Sequence, residues 1–405
     1  MPVDTIFIVG FSFNIVQDII VRHDVVKVGV FTRSGLIGEI CFRIADYFDL
    51  ELRFVIFLLQ GTICFTYIFL VYNFIKNLPR HALTVIAIFS PIFLLYPLGE
   101  IEVLARKETF LFVGFLIFLT LSNFKNNQTH SLVYAFLIFP ILLLIWEPFI
   151  FFIPFAVFIF FIQNNDESFK KTIFKISLSL SSSILTAIYI ATNLLTPDQH
   201  LVMSAALMDK FNETCYMSCG LLKSKGSIEA QYIAVIKEVT LVSIIRYFII
   251  MVIGFFPLII LIYNSSFKKK VLFFSKFKNL NILFSVTLIV PLLLFLAMTD
   301  WGRVVNIIYT FSILTYLYLI KNDVLYINKK ILYFDNFYAH KKKLFIVLFY
   351  IFAFFWNPKT QLTGDIATNT LYKIFYNSSK KIFGFNSIHL FKGSPLIEFH
   401  KKYIE

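Results

Sequence analysis

Residues 241–262 read LVSIIRYFIIMVIGFFPLIILI. These 22 residues carry one charge, Arg246, placed close to the first turn. As an α-helix the stretch is about 33 Å long, enough to cross a hydrocarbon layer of about 30 Å. It is apolar all round, so no face of it suits water. Similar stretches recur along the chain, at 54–75, 82–98, 104–122, 131–146, 148–163, 173–195, 281–298, 304–320 and 343–357. The expected fold is therefore all-α, a polytopic transmembrane helix bundle of about ten spans with outward amphipathic helices. The segments around Glu147-Pro148 read equally well as a hairpin or as one broken helix.

Composition supports that class and excludes others. Of 405 residues, 58% are hydrophobic, 52 are Phe and only 15% are charged. A soluble globular domain, a disordered chain and a disulfide-rich secreted scaffold are all excluded. A transmembrane β-barrel needs short alternating segments, not continuous apolar runs. The 37 basic and 24 acidic residues leave a net charge of +13. In a membrane protein that excess belongs to cytoplasmic loops, so no nucleic-acid partner is expected.

The loop charges orient the spans. Lys76 and Arg80, then Lys125, then Lys170, Lys171 and Lys175, then Lys268 to Lys278, then Lys321 to Lys343 follow alternate spans. The positive-inside rule makes these loops cytoplasmic. Segment 1–53, Gly99–Glu108, Glu147, the 196–240 loop, Thr299–Arg303 and the tail 358–405 then face outward. Three parts follow: an outward amphipathic segment 1–53, the bundle 54–357 with its outward loop 196–240, and the outward tail 358–405. Within the first, Ile6–Val16 is too short to cross, and 18–50 reads as one or two interfacial helices. Ile228–Val239 reads as another short amphipathic helix. Cys215 and Cys219 lie four apart in the outward loop, where a disulfide and free thiols are both open.

Ionisable groups at span edges are costly and mark candidate sites. Arg33 stands beside a small-residue turn and a possible helix start, a setting suited to an anion. Glu100, Glu102, Arg106, Lys107 and Glu108 precede one span, where Arg106 and Lys107 could cradle a pyrophosphate. Glu147 lies between Trp146 and Pro148 and is a candidate general base. Asp300-Trp301-Gly302-Arg303 forms a very short outward turn in which Asp300 and Arg303, three apart, can pair. Arg246 could approach the same place. No filter-like segment, Walker loop, HExxH pair or GxSxG elbow occurs, and neither a metal nor a cofactor is expected.

Three short motifs carry a resemblance: Arg33-Ser34-Gly35-Leu36-Ile37-Gly38, Ala105-Arg106-Lys107-Glu108-Thr109-Phe110 and Asp300-Trp301-Gly302-Arg303. They resemble features of multi-pass proteins of bacterial surface-polysaccharide loci, EpsG-like and O-antigen or capsule polymerase-like (Wzy-type). The plan of an acidic outer segment followed by Phe/Ile-rich helices is similar to that of C-type glycosyltransferases. The resemblance implies a plasma (inner) membrane protein handling a polyprenyl-(pyro)phosphate-linked saccharide at the outer face. Membrane lipids and other polysaccharide-assembly proteins would be its partners. In a glycosyltransferase or polymerase, Arg33, Arg106, Lys107, Arg246 and Arg303 would bind the substrate, and Glu147 or Asp300 would take the acceptor proton. A flippase for such lipids and a non-catalytic subunit of an assembly complex are the alternatives.

Overall fold

The computed structural model describes residues 36–79, 81–100, 103, 106–123, 128–164, 167–193, 197–213, 228–268, 280–327, 335, 338–354, 356–362 and 366–367. Arg33, Glu102, Cys215, Cys219 and the segment Ile6–Val16 lie outside them. The described chain is all-α: α1 Leu36–Phe48, α2 Leu52–Ile75, α3 Ala82–Ile88, α4 Tyr96–Gly99, α5 Lys107–Leu121, α6 Gln128–Ile145, a 3-10 turn Glu147–Phe152, α7 Ile153–Gln163, α8 Phe169–Thr192, α9 Pro197–Phe211, α10 Ile228–Glu238, α11 Leu241–Tyr263, α12 Leu280–Leu292 with a 3-10 extension Leu293–Leu296, α13 Trp301–Lys321 and α14 Lys342–Phe354. Two short ladders pair β1 Ser265–Phe267 with β2 Leu325–Ile327, and β3 Asn357–Pro358 with β4 Ile366–Ala367.

Among the described residues, five helices are long and apolar enough to cross a membrane: α2, α6, α8, α11 and α13. The other expected spans are shorter or interrupted. Where one helix was expected over 82–98, the chain forms α3 and then α4. Pro91 lacks the N–H a continuing helix needs, and Pro97 falls in the first turn of the new one. Around Glu147-Pro148, α6 stops at Ile145 and a proline-bearing 3-10 turn leads into α7. Hydropathy is blind to these breaks because it scores side chains and not backbone donors. Of the expected amphipathic helices, α1 and α10 are present as helices. On α1, Ile37, Cys41, Phe42 and Ala45 are buried while Ile40, Ile44, Tyr47 and Phe48 are exposed. Burial pushes the Cys41 thiol up to about 12, which leaves it an unreactive packing group.

The chain divides into two compact units. The first is drawn from 1–77, 105–230 and 270–276. Its α5, α6 and α7 alternate in direction, and side-chain amides tie their ends: Gln163 Nε2 donates to Ser122 O (2.5 Å), and Gln128 Nε2 donates to Gln163 O (2.7 Å). Helix α8 runs parallel to α6, with Ser179 Oγ donating to Leu132 O and Ser182 Oγ to Phe136 O. The second bond has a clear cause. Pro140, inside α6, cannot donate to Phe136 O, and in an apolar setting a neighbouring hydroxyl must. Ser182→Ala is expected to lower stability by about 1 kcal/mol, read as a lower unfolding temperature in detergent; an unchanged temperature would show that Phe136 O finds another donor.

The second unit comprises 78–104, 231–269 and 277–405. Its axis is α13, buried at every residue from Trp301 to Leu319. Helix α11 runs parallel to it: Tyr247 packs on Trp301 near their starts, and β1 pairs with β2 just past their ends. The α3–α4 segment runs the other way, because Tyr309 OH donates to Ala87 O while Asn306 Nδ2 donates to Ile92 O farther toward the Trp301 end. At the opposite end, Asp335 Oδ1 accepts the Ala82 N–H that opens α3, and Lys268 pairs with Asp323.

Candidate functional site

At the Trp301 end of the second unit, four pieces of chain distant in sequence meet: α4 with Glu100, the first turns of α11, the Thr299–Arg303 turn, and residues 357–362. Asp300 immediately precedes α13, and Arg303 Nη1 donates to its Oδ2 at 3.0 Å. This is the local pair expected from their spacing. The Arg303 side chain is only 7% exposed, and its partner 26%. An ion pair this enclosed is screened far less than one on a surface.

Beside it lies a second ion pair. Glu100, buried, takes the Lys359 ammonium on Oε1 and both the backbone N–H (3.3 Å) and the hydroxyl (3.2 Å) of Thr360 on Oε2. The Tyr96 hydroxyl is 3.3 Å from Thr360 Oγ1. The Tyr247 hydroxyl reaches the carbonyls of Lys359 (2.8 Å) and Gln361 (3.0 Å). The Thr360 carbonyl in turn accepts from Gly302 N at 3.2 Å, between Asp300 and Arg303 in the chain. The two carboxylates, two cations and two phenols therefore form one cluster, with half-buried Arg246 next to it.

Trp301 packs edge-on against both Tyr247 and Phe295 and donates from Nε1 to Phe295 O at 3.0 Å. Gly302 is required by close approach: a Cβ there would lie 1.9 Å from Lys359 O. Chemically, the cluster offers fixed cations for a phosphate group and carboxylates able to accept a proton.

Arg106, Lys107, Glu108 and Glu147 belong to the first unit. Arg106 caps the start of α5, with Lys107 and Glu108 buried in its first turn. Glu147 opens the 3-10 turn beside buried Trp146. Because α6 returns antiparallel to α5, Arg106, Lys107 and Glu147 lie at one end of that helix group. Glu100 stood among the charges of interest in the sequence, but Lys359, Thr360, Tyr96 and Tyr247 did not. The first unit also holds an unforeseen bidentate pair, Arg53 to Glu213, at 2.5 and 2.7 Å. Among the described residues no group of three or more His, Cys, Asp or Glu side chains is placed to hold a metal ion. No family model, no curated protein and no solved structure matches this chain.

Proposed function

We propose that this is a multi-pass protein of a bacterial plasma membrane that transfers glycosyl groups between polyprenyl-linked saccharides at the outer face, as a glycosyltransferase or polymerase. The observation that carries the reading is the pairing of Asp300 with Arg303 beside Glu100 and Lys359, with half-buried Arg246 next to them, at the Trp301 end of the second unit. An isolated charge in such surroundings is costly, so these four groups pair with one another, and Arg246 beside them adds a third cation to two carboxylates. Arg246 and Arg303 bind the carrier's pyrophosphate. As the acceptor hydroxyl oxygen bonds to the sugar C1, the C1–O bond to phosphate breaks and the pyrophosphate leaves with the electron pair, its charge met by Arg303. The hydroxyl proton passes to Asp300. The polar residues along α13 between its charged ends are uncharged, from Asn306 to Tyr318, which favours reaction at one face over passage of an anion through the depth. The reading rests on the second unit alone and needs no role for Arg33, Arg106, Lys107 or Glu147.

The test is polymer length on producing cells. Arg303→Ala and Asp300→Asn are each expected to abolish long surface polysaccharide while the protein persists in the membrane at normal amount. Normal polymer in both variants would reject the assignment.

A further inference from the structure

The segment Asn357–Leu362, a short strand followed by a bend and a turn, crosses the candidate site as a strap, and three elements grip it. Glu100 holds Lys359 and Thr360, Tyr247 holds the carbonyls of Lys359 and Gln361, and the 299–303 turn holds the rest. In that last contact Gly302 N donates to Thr360 O (3.2 Å) and Leu362 N donates to Thr299 O (2.8 Å). The seat is cut for the strap by two glycines on different elements. A Cβ on Gly302 would strike Lys359 O, and a Cβ on Gly99 would lie 2.2 Å from the Asn357 amide nitrogen.

Two features set this strap apart from a simple structural loop. The first is the asymmetry of its ion pair: the Glu100 side chain is 7% exposed, but that of Lys359 is 26% exposed. The lysine side chain thus keeps part of its surface toward the outside while that of the glutamate does not. The second is Asn357. Its side chain is 2% exposed, and neither Oδ1 nor Nδ2 has a hydrogen-bond partner. Burying an amide without partners is unfavourable, so docking at the strap's first residue opposes the favourable bonds at 359–362. The unpartnered amide lowers the free energy that opening of the strap must overcome.

We propose that Lys359 is a phosphate-binding residue of this site, and that the strap opens when a pyrophosphate group takes the Lys359 ammonium from Glu100. The inference deepens the functional reading given above and rests on it. Glu100 keeps the Thr360 hydroxyl and amide only in the docked state, so loss of the ammonium loosens all three anchors together. Release of the strap from Thr299 and Gly302 widens access to Arg303 and to Asp300, which is already 26% exposed.

The experiment uses the full chain in phosphatidylcholine nanodiscs with inorganic pyrophosphate as the probe. Calorimetry reads binding, and hydrogen exchange reads the amides of Gly302, Thr360 and Leu362, each bonded in the docked strap. Saturating pyrophosphate is expected to speed exchange at these three amides about tenfold, with amides deep in α13 unchanged. Lys359→Met is expected to exchange fast from the start and to show no response. Asn357→Leu, which removes the unpartnered amide, is expected to slow exchange at Thr360 and Leu362. Pyrophosphate binding that depends on Arg303 but leaves the three amides unchanged overturns the strap and spares the functional reading. A full response in Lys359→Met also overturns the strap. Absence of any binding overturns both. Opening in nanodiscs containing phosphatidylglycerol, without pyrophosphate, would assign the phosphate to bulk lipid and overturn the substrate-gated form.

Discussion

Gly302→Val is expected to destabilise the second unit by about 3 kcal/mol or more, although the substitution lies in the first turn of a helix. At an ordinary helix position replacing Gly with a residue that bears a Cβ is neutral or gains up to about 1 kcal/mol, because Gly is among the poorest helix formers. Here the sign reverses. The added Cβ meets a backbone carbonyl, Lys359 O at 1.9 Å, and the Tyr96 hydroxyl at 3.0 Å. A flexible side chain would swing aside, but this carbonyl is fixed by Tyr247 and by the bonds of Thr360 and Leu362 on either side. The strap must leave its seat, losing the Glu100 contacts as it goes. Gly302→Ala presents the same first atom and is expected to show most of the effect. The check is thermal unfolding in detergent alongside exchange at Thr360 and Leu362. A raised unfolding temperature in the Ala variant would mean that helix propensity prevails and that the strap does not lie over Gly302.

What the sequence reveals about this site, and what it hides, follows from the range of each interaction. Asp300 and Arg303 are three residues apart at a helix start, so their pairing is a matter of local geometry and was legible. Glu100 and Lys359 are 259 residues apart, and nothing in the tail's polar composition distinguishes Lys359 from its neighbours. The glycine at 302 reads locally as a device for a tight turn, yet its reason in the structure is a distant carbonyl. The long helices obey the same logic. Helix α11 was expected over 241–262 and runs from Leu241 to Tyr263, through Pro257, with a Thr240–Ser243 capping box fixing its start. Segment 82–98 is equally apolar, and there the side-chain pattern hides a change in backbone conformation.

Asn306→Leu is expected to be among the most damaging isosteric changes in the chain, with a loss of about 2–4 kcal/mol and no direct contact with the candidate site's charges. The reason lies in the break between α3 and α4. Residues 90–95 leave the helix, so some carbonyls lose the partners that a continuous helix would supply. A helix interrupted within an apolar assembly is tolerated only where other groups satisfy the freed backbone. Asn306, 3% exposed on the central helix, does so: its Nδ2 donates to Ile92 O at 3.0 Å and approaches Phe93 O at 3.4 Å. Tyr309 supplies Ala87 O in the same way, and Ser90 reaches Gly254 O. Leucine fills the volume of asparagine but donates nothing, so the carbonyls of Ile92 and Phe93 stay buried without that donor. Asn306→Asp removes the donor and adds a charge, and is expected to be worse. Asn306→Gln, which keeps an amide at the end of a longer stem, is expected to recover part of the loss. Unfolding temperature and proteolysis within 89–95 read the effect. Wild-type values for Asn306→Leu would show that the break is satisfied without Asn306. The loss also propagates to the site, since α4 carries Tyr96 and positions Glu100 directly after this break.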